Sequence, residues 1–95
     1  MICSMLNRVG LNKMLMIGDK VGDTDRIVIA YTKIRDRVPG DSYASWVAIC
    51  AKEGEYHPYV VWYVIARPNG FLAETGDYCF TLDEALKVYK NRGGK

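Results

Sequence analysis

The segment Tyr59 to Arg67, YVVWYVIAR, restricts the fold more than any other stretch of the chain. Its β-branched and aromatic residues suit an extended backbone. Successive strand residues face opposite sides of a sheet, so Val60, Trp62, Val64 and Ala66 share one side and Tyr59, Val61, Tyr63 and Ile65 the other. Both sides are apolar or aromatic. A sheet with one wet face would alternate apolar and polar residues instead. The run Ser42 to Lys52, SYASWVAICAK, behaves alike, with Tyr43, Val47 and Ile49 opposed to Ala44, Trp46, Ala48 and Cys50. Two adjacent strands of this kind demand a cover on each face of their sheet.

Two further strands flank these. Arg26 to Arg35, RIVIAYTKIR, is broken by Arg37-Val38-Pro39-Gly40-Asp41, where proline cannot donate to a ladder and Pro-Gly marks a turn. Phe71 to Phe80 returns after Pro68-Asn69-Gly70, with Gly76-Asp77 a candidate bulge. The connections are short, the Glu53-Gly54-Glu55-Tyr56-His57-Pro58 stretch included, so the strands form an antiparallel meander; parallel pairs need long crossovers. Gly18 to Asp23 carries turn residues and predicts a loop or a short bent strand.

One helix is written clearly, from Leu82 to Asn91. Thr81 followed three residues later by Glu84 is a capping box, and Phe80 and Ala85 stand where a hydrophobic staple would close. Leu82, Ala85, Leu86 and Tyr89 recur at helical spacing and predict one apolar stripe. Lys87, Lys90 and Arg92 suit the negative pole of the helix, and Gly93-Gly94 ends it. The fold class expected is therefore α+β: an antiparallel meander of about four strands packed by a short C-terminal helix.

A helix of this length spans only about 15 Å and covers part of one face. The other face is expected to be covered by a second copy of the chain, through a sheet face or edge. An N-terminal helical lid or a foreign partner are the alternatives. Residues 1–17 are interrupted by Asn7, Arg8, Asn12 and Lys13, which excludes a membrane span and leaves a helix or a dispensable leader, with 18–95 as the single domain.

With 95 residues the chain holds one core. Its 13 basic and 11 acidic residues are spread along it, which argues against a clustered electrostatic DNA binder and excludes an acidic DNA mimic. The cysteines Cys3, Cys50 and Cys79 fall at no short spacing, and an odd count without a secretory signal points to reduced thiols in a cytoplasm.

No catalytic, cofactor or metal constellation stands out. His57, beside Glu55, is the only histidine and has no nucleophile next to it, so a turn role outweighs a general-base role. One histidine and scattered cysteines do not make a metal site, and no glycine-rich loop precedes the helix as a phosphate cradle. Rigid, half-polar tyrosines suit a protein interface. The residues expected to meet a partner are Tyr31, Lys33, Arg35, Tyr43, Tyr56, His57, Tyr59, Tyr63 and Arg67. Aromatics beside Lys33, Arg35, Lys52 and Arg67 leave single-stranded nucleic-acid stacking as the second function. A small-ligand or nucleotide sponge at a dimer seam is the third. For Trp46 and Trp62 a core position outweighs a stacking one.

The segment HPYVVWYVIARPNGFLAETGDYCFTLDEALKVYKNRGG, about 40% of the chain, resembles the C-terminal half of small orphan proteins encoded by bacteriophages. Those carry a Tyr-Val-x-Trp type strand, a return strand ending Gly-x-Tyr, and a Thr-x-x-Glu-Ala-Leu helix with a trailing tyrosine and arginine. The matching positions are Tyr59, Trp62, Gly76, Tyr78, Thr81, Glu84, Ala85, Leu86, Tyr89 and Arg92. The resemblance implies a small accessory protein, working in the host cytoplasm, that binds host or phage proteins to blunt a defence system or redirect host machinery.

Overall fold

The structure is a computed structural model that describes residues 14–21, 25–35, 43–68 and 70–95. The β-branched runs form four strands: β1 (Ile27–Arg35), β2 (Ser45–Ala51), β3 (Tyr59–Arg67) and β4 (Gly70–Cys79), followed by α1 (Leu82–Asn91). The strands pair antiparallel in chain order, β1-β2-β3-β4. The expected meander and helix are thus present, with β3 and α1 at their expected bounds. The proposed turn from Arg37 to Asp41 and residues 1–13 lie outside the described residues.

At the two middle strands, β2 and β3, both faces of the sheet are buried within one chain. On one, Trp46, Ala48, Cys50, Val60, Trp62, Val64 and Ala66 form a cluster joined by Val28 and, from upstream of β1, by Leu15 and Val21. Trp46 is 1% and Trp62 6% exposed, so the indoles are core rather than a stacking surface. Leu15 is built into this cluster, so the packed unit reaches at least that far towards the N-terminus. On the other face Val47, Ile49, Val61 and Cys79 pack under Ala85 and Tyr89 of α1. The dimer expectation drew its force from an uncovered face. Among the described residues β2 and β3 are covered on both sides, while Ile27 and Ile34 of β1 and Leu72 of β4 stay exposed.

Upstream of β1 the chain turns back along it. Asp19 Oδ2 accepts from the Met16 amide at 2.9 Å, and the Gly18 amide donates to the Val28 carbonyl at 2.8 Å while the Val28 amide donates to Asp19 at 2.9 Å. An isolated bridge, Lys20 with Ile27, completes this short bent strand.

Several details depart from the sequence expectations. Tyr43 precedes β2, where strand alternation does not apply, and it packs with Trp46 rather than with Val47 and Ile49. The stripe on α1 is narrower than its spacing suggests: Ala85 and Tyr89 are buried, but Leu82 and Leu86 stay 42% and 36% exposed. The half-buried Val88 and the Arg92 side chain, which lies over Tyr63, turn the contact line away from the two leucines. Finally, Phe80 does not spend its ring on a staple; it packs against Tyr56 and His57.

The bulge in β4 sits one residue earlier than expected. Val61 pairs with Asp77 and Tyr63 with Glu74, so Thr75 and Gly76 together oppose Trp62. Thr75 takes a left-handed backbone, φ 54°, an unusual conformation for a β-branched residue. Gly76 has no side chain because the Trp62 indole lies against it: a Cβ there would fall 2.8 Å from Trp62 Cδ1 and closer still to Nε1. The bulge also shifts the side-chain phase of β4. Phe71 and Ala73 face the tryptophan cluster, whereas Cys79 faces α1 and Tyr78 pairs with Val60.

Candidate functional site

At the end of the sheet where β1 starts and β4 stops, the β2–β3 connection brings Tyr56 and His57 against the residues that lead into α1. The His57 ring lies 4.5 Å from the Phe80 ring, 4.8 Å from Tyr56 and 5.9 Å from Tyr78, centroid to centroid. Tyr56 meets Phe80 edge-on at 5.3 Å. Edge-to-face geometry is what ring quadrupoles favour, so the four rings hold one another in place. Three of them are nonetheless open to solvent, Tyr56 at 80%, Tyr78 at 56% and Phe80 at 51% exposed, while His57 is half-buried.

Local chemistry explains the position of each ring. Tyr56 and His57 ride on a hairpin anchored from Lys52, whose amide donates to the Pro58 carbonyl at 2.9 Å. Phe80 is fixed by the capping box. Its amide donates to Glu84 Oε1 at 2.9 Å, the Thr81 amide donates to the same oxygen at 3.1 Å, and Thr81 Oγ1 accepts from the Glu84 amide at 3.1 Å. Tyr78 is aimed by the bulge. Beneath it lies Arg26, only 7% exposed, whose guanidinium sits 5.8 Å from the Tyr78 ring and donates to the Pro58 carbonyl at 3.1 Å. Glu55 lies 3.9 Å from Arg26 and 3.8 Å from Lys52, and Lys52 lies 3.6 Å from Asp25.

Of the nine residues expected to meet a partner, only Tyr56 and His57 belong to this cluster. Lys33 lies over the Trp46 ring at 6.0 Å and Arg67 over Tyr43 at 5.9 Å; these, with Arg35, mark the opposite end of the sheet, where β1 stops and β4 starts. Tyr31 is 38% exposed in the middle of β1. Tyr59 and Tyr63 are half-buried on the helix-covered face, and Arg92 lies over Tyr63 at 4.7 Å. The sequence reading missed Tyr78, Phe80 and Arg26. The signal for Tyr78 was the bulge itself, since a glycine flagged within a strand marks a change of phase.

No protein-family model matches this chain, and no curated protein or solved structure does either.

Among the described residues no three His, Cys, Asp or Glu side chains are grouped to hold a metal ion. Burial pushes the Cys50 thiol up to about 12, with nearby Arg26 opposing the shift. The Cys79 thiol is also raised, first by burial and then by Glu84 and Asp77, against Arg92. Both cysteines are therefore protonated at neutral pH and poor nucleophiles. No helix among the described residues is long and apolar enough to cross a membrane.

Proposed function

We propose that this chain is a non-enzymatic protein-docking domain whose contact surface is the aromatic end formed by Tyr56, His57, Tyr78 and Phe80. The observation that supports it is the coexistence of mutual ring packing with exposure, 80% at Tyr56 and 51% at Phe80. Interface hot spots are rich in tyrosine and arginine, and rings already held by their neighbours lose little freedom when a partner binds. In the setting implied by the bacteriophage resemblance, the partner is a host or phage protein, and occupying it inhibits or redirects it.

Site-specific photocrosslinking in the expressing cell tests this function. With a benzophenone amino acid at Tyr56, a covalent adduct of defined mass is expected; with the same group at Glu74, in the middle of β4, none is expected. The Tyr56 adduct should also disappear in a Phe80→Ala background. Equal adducts from both positions, or survival of the adduct in Phe80→Ala, overturns the assignment of the site. An adduct of twice the chain mass identifies the partner as a second copy.

A further inference from the structure

We infer that the aromatic end is built for a cationic partner segment, one presenting arginine or lysine among apolar side chains; this rests on the docking function proposed above. The charge around the rings is opposite in sign to that of the whole chain. Residues 25–26, 52–58 and 77–84, which build this end, contain six carboxylates (Asp25, Glu53, Glu55, Asp77, Asp83 and Glu84) and two cationic side chains, Arg26 and Lys52. Lys20, at 3.9 Å from Asp25, and Arg92, at 2.7 Å from Asp77, also reach into it. Counting them, the end still carries two more acidic than basic groups, against a net charge of +2 for the chain.

The carboxylates differ in what they can offer. Asp77 is held by Arg92 and Glu84 by the amides of Phe80 and Thr81. Glu53 and Asp83 are exposed, one on the hairpin that carries Tyr56 and the other in the helix turn that follows Phe80. Each stands three residues from a ring along the chain, Glu53 before Tyr56 and Asp83 after Phe80. A guanidinium or ammonium over a tyrosine or phenylalanine face is attracted by the ring quadrupole, and carboxylates beside the face add to that attraction. Phosphates meet the reverse. A nucleic-acid backbone is repelled by this end, and its natural complement, the cations Lys33, Arg35 and Arg67, lies at the other end of the sheet.

The test is amide chemical-shift mapping on the full, 15N-labelled chain with three capped pentapeptides: Ala-Arg-Leu-Arg-Ala, Ala-Gln-Leu-Gln-Ala and Ala-Glu-Leu-Glu-Ala. The arginine peptide should shift signals from residues 55–57 and 78–82 and bind about tenfold tighter than the glutamine peptide, the size expected of an exposed cation–π contact with nearby carboxylates. The glutamate peptide should bind weakest. In a Glu53→Gln, Asp83→Asn variant, altered only at exposed positions, the arginine advantage should fall to about twofold. Equal binding of the arginine and glutamine peptides at these signals overturns the charge preference and leaves docking intact. Preference for the glutamate peptide overturns it outright. No shift at these signals with any peptide up to millimolar concentration removes the docking function along with it.

Discussion

Replacing Gly76 by alanine tests the link between the β4 bulge and the core. The added methyl would press on the Trp62 indole, at 2.8 Å from Cδ1 and closer to Nε1, with Val60 Cγ1 at 3.2 Å. Ordinary carbon contacts need about 3.5–4.0 Å, so the indole must retreat by about 1 Å. It has little room, being 6% exposed within the cluster that includes Val60 and Val64. Overpacking of this kind costs about 1–3 kcal/mol. Against it stands a gain of about 0.4–1 kcal/mol from a less flexible unfolded chain. The expected net loss is about 1–2 kcal/mol, or about 4–16 °C in melting temperature for a domain of this size.

Thr75 supplies the opposite test. Holding a β-branched residue at φ 54° costs about 1–2 kcal/mol, of which glycine would return the larger part after its own entropic cost of about 0.5–1 kcal/mol. Thr75→Gly should therefore raise stability by about 0.5–1 kcal/mol. Urea titration followed by tryptophan fluorescence measures both variants. A Gly76→Ala protein as stable as wild type, with unchanged emission, would show that Trp62 does not lie against the bulge. The phase argument that aims Tyr78 would fall with it.

Three further outcomes follow from the same packing. Thr81→Ala should cost about 1 kcal/mol by removing the N-cap acceptor, and amide exchange should speed up first at Glu84 and Phe80; an unchanged melting curve would refute the capping role. Arg92→Met should lower stability by about 1–3 kcal/mol, the scale of a hydrogen bond to a charged group, because it breaks the 2.7 Å pair with Asp77 and the stack on Tyr63, and a thermal melt within 1 °C of wild type would count against it. Stability should be flat in the Cys50 contribution below pH 9 and fall as pH rises from 9.0 towards about 12, since the unfolded thiol ionises first and the folded one stays protonated. At about 1.4 kcal/mol per unit, the loss in that window should be visibly smaller in Cys50→Ala than in wild type; parallel pH curves would refute it.

The fold was legible because its signals were local and redundant. The apolar run from Tyr59 to Arg67 and the Thr81–Glu84 box each specify one element without help from distant residues, and both elements appear at the expected bounds. The site was not legible in the same way. Tyr56 and His57 come from one connection and Tyr78 and Phe80 from the end of another strand, so their meeting depends on the strand register, which a sequence pattern does not set. The residues read as partner-binding were chosen as tyrosines near cations. In the folded chain they are spread over both ends and the middle of the sheet, with Arg67 over Tyr43 at one end and Tyr56 with His57 at the other.

The two apolar strand faces teach the same lesson from the other side. Each demanded a cover, and the short helix could supply only one. The covers expected for the other were a second copy of the chain or, as alternatives, an N-terminal helical lid or a foreign partner, with Gly18 to Asp23 read as a loop or short bent strand. On the tryptophan face the upstream chain contributes without a helix: Asp19 holds a tight reversal beside Val28, and Leu15 and Val21 join the cluster. With the tryptophans buried, the rings left most exposed are those at the end of the sheet, Tyr56, Tyr78 and Phe80, with Tyr31 in β1 less so. The docking surface we propose there is small and built of rings that pack on one another, and such a surface selects a partner by a few anchored contacts rather than by apolar area. That is why the decisive comparison is between cationic and neutral peptides of equal size, and not between an associated and a dissociated chain.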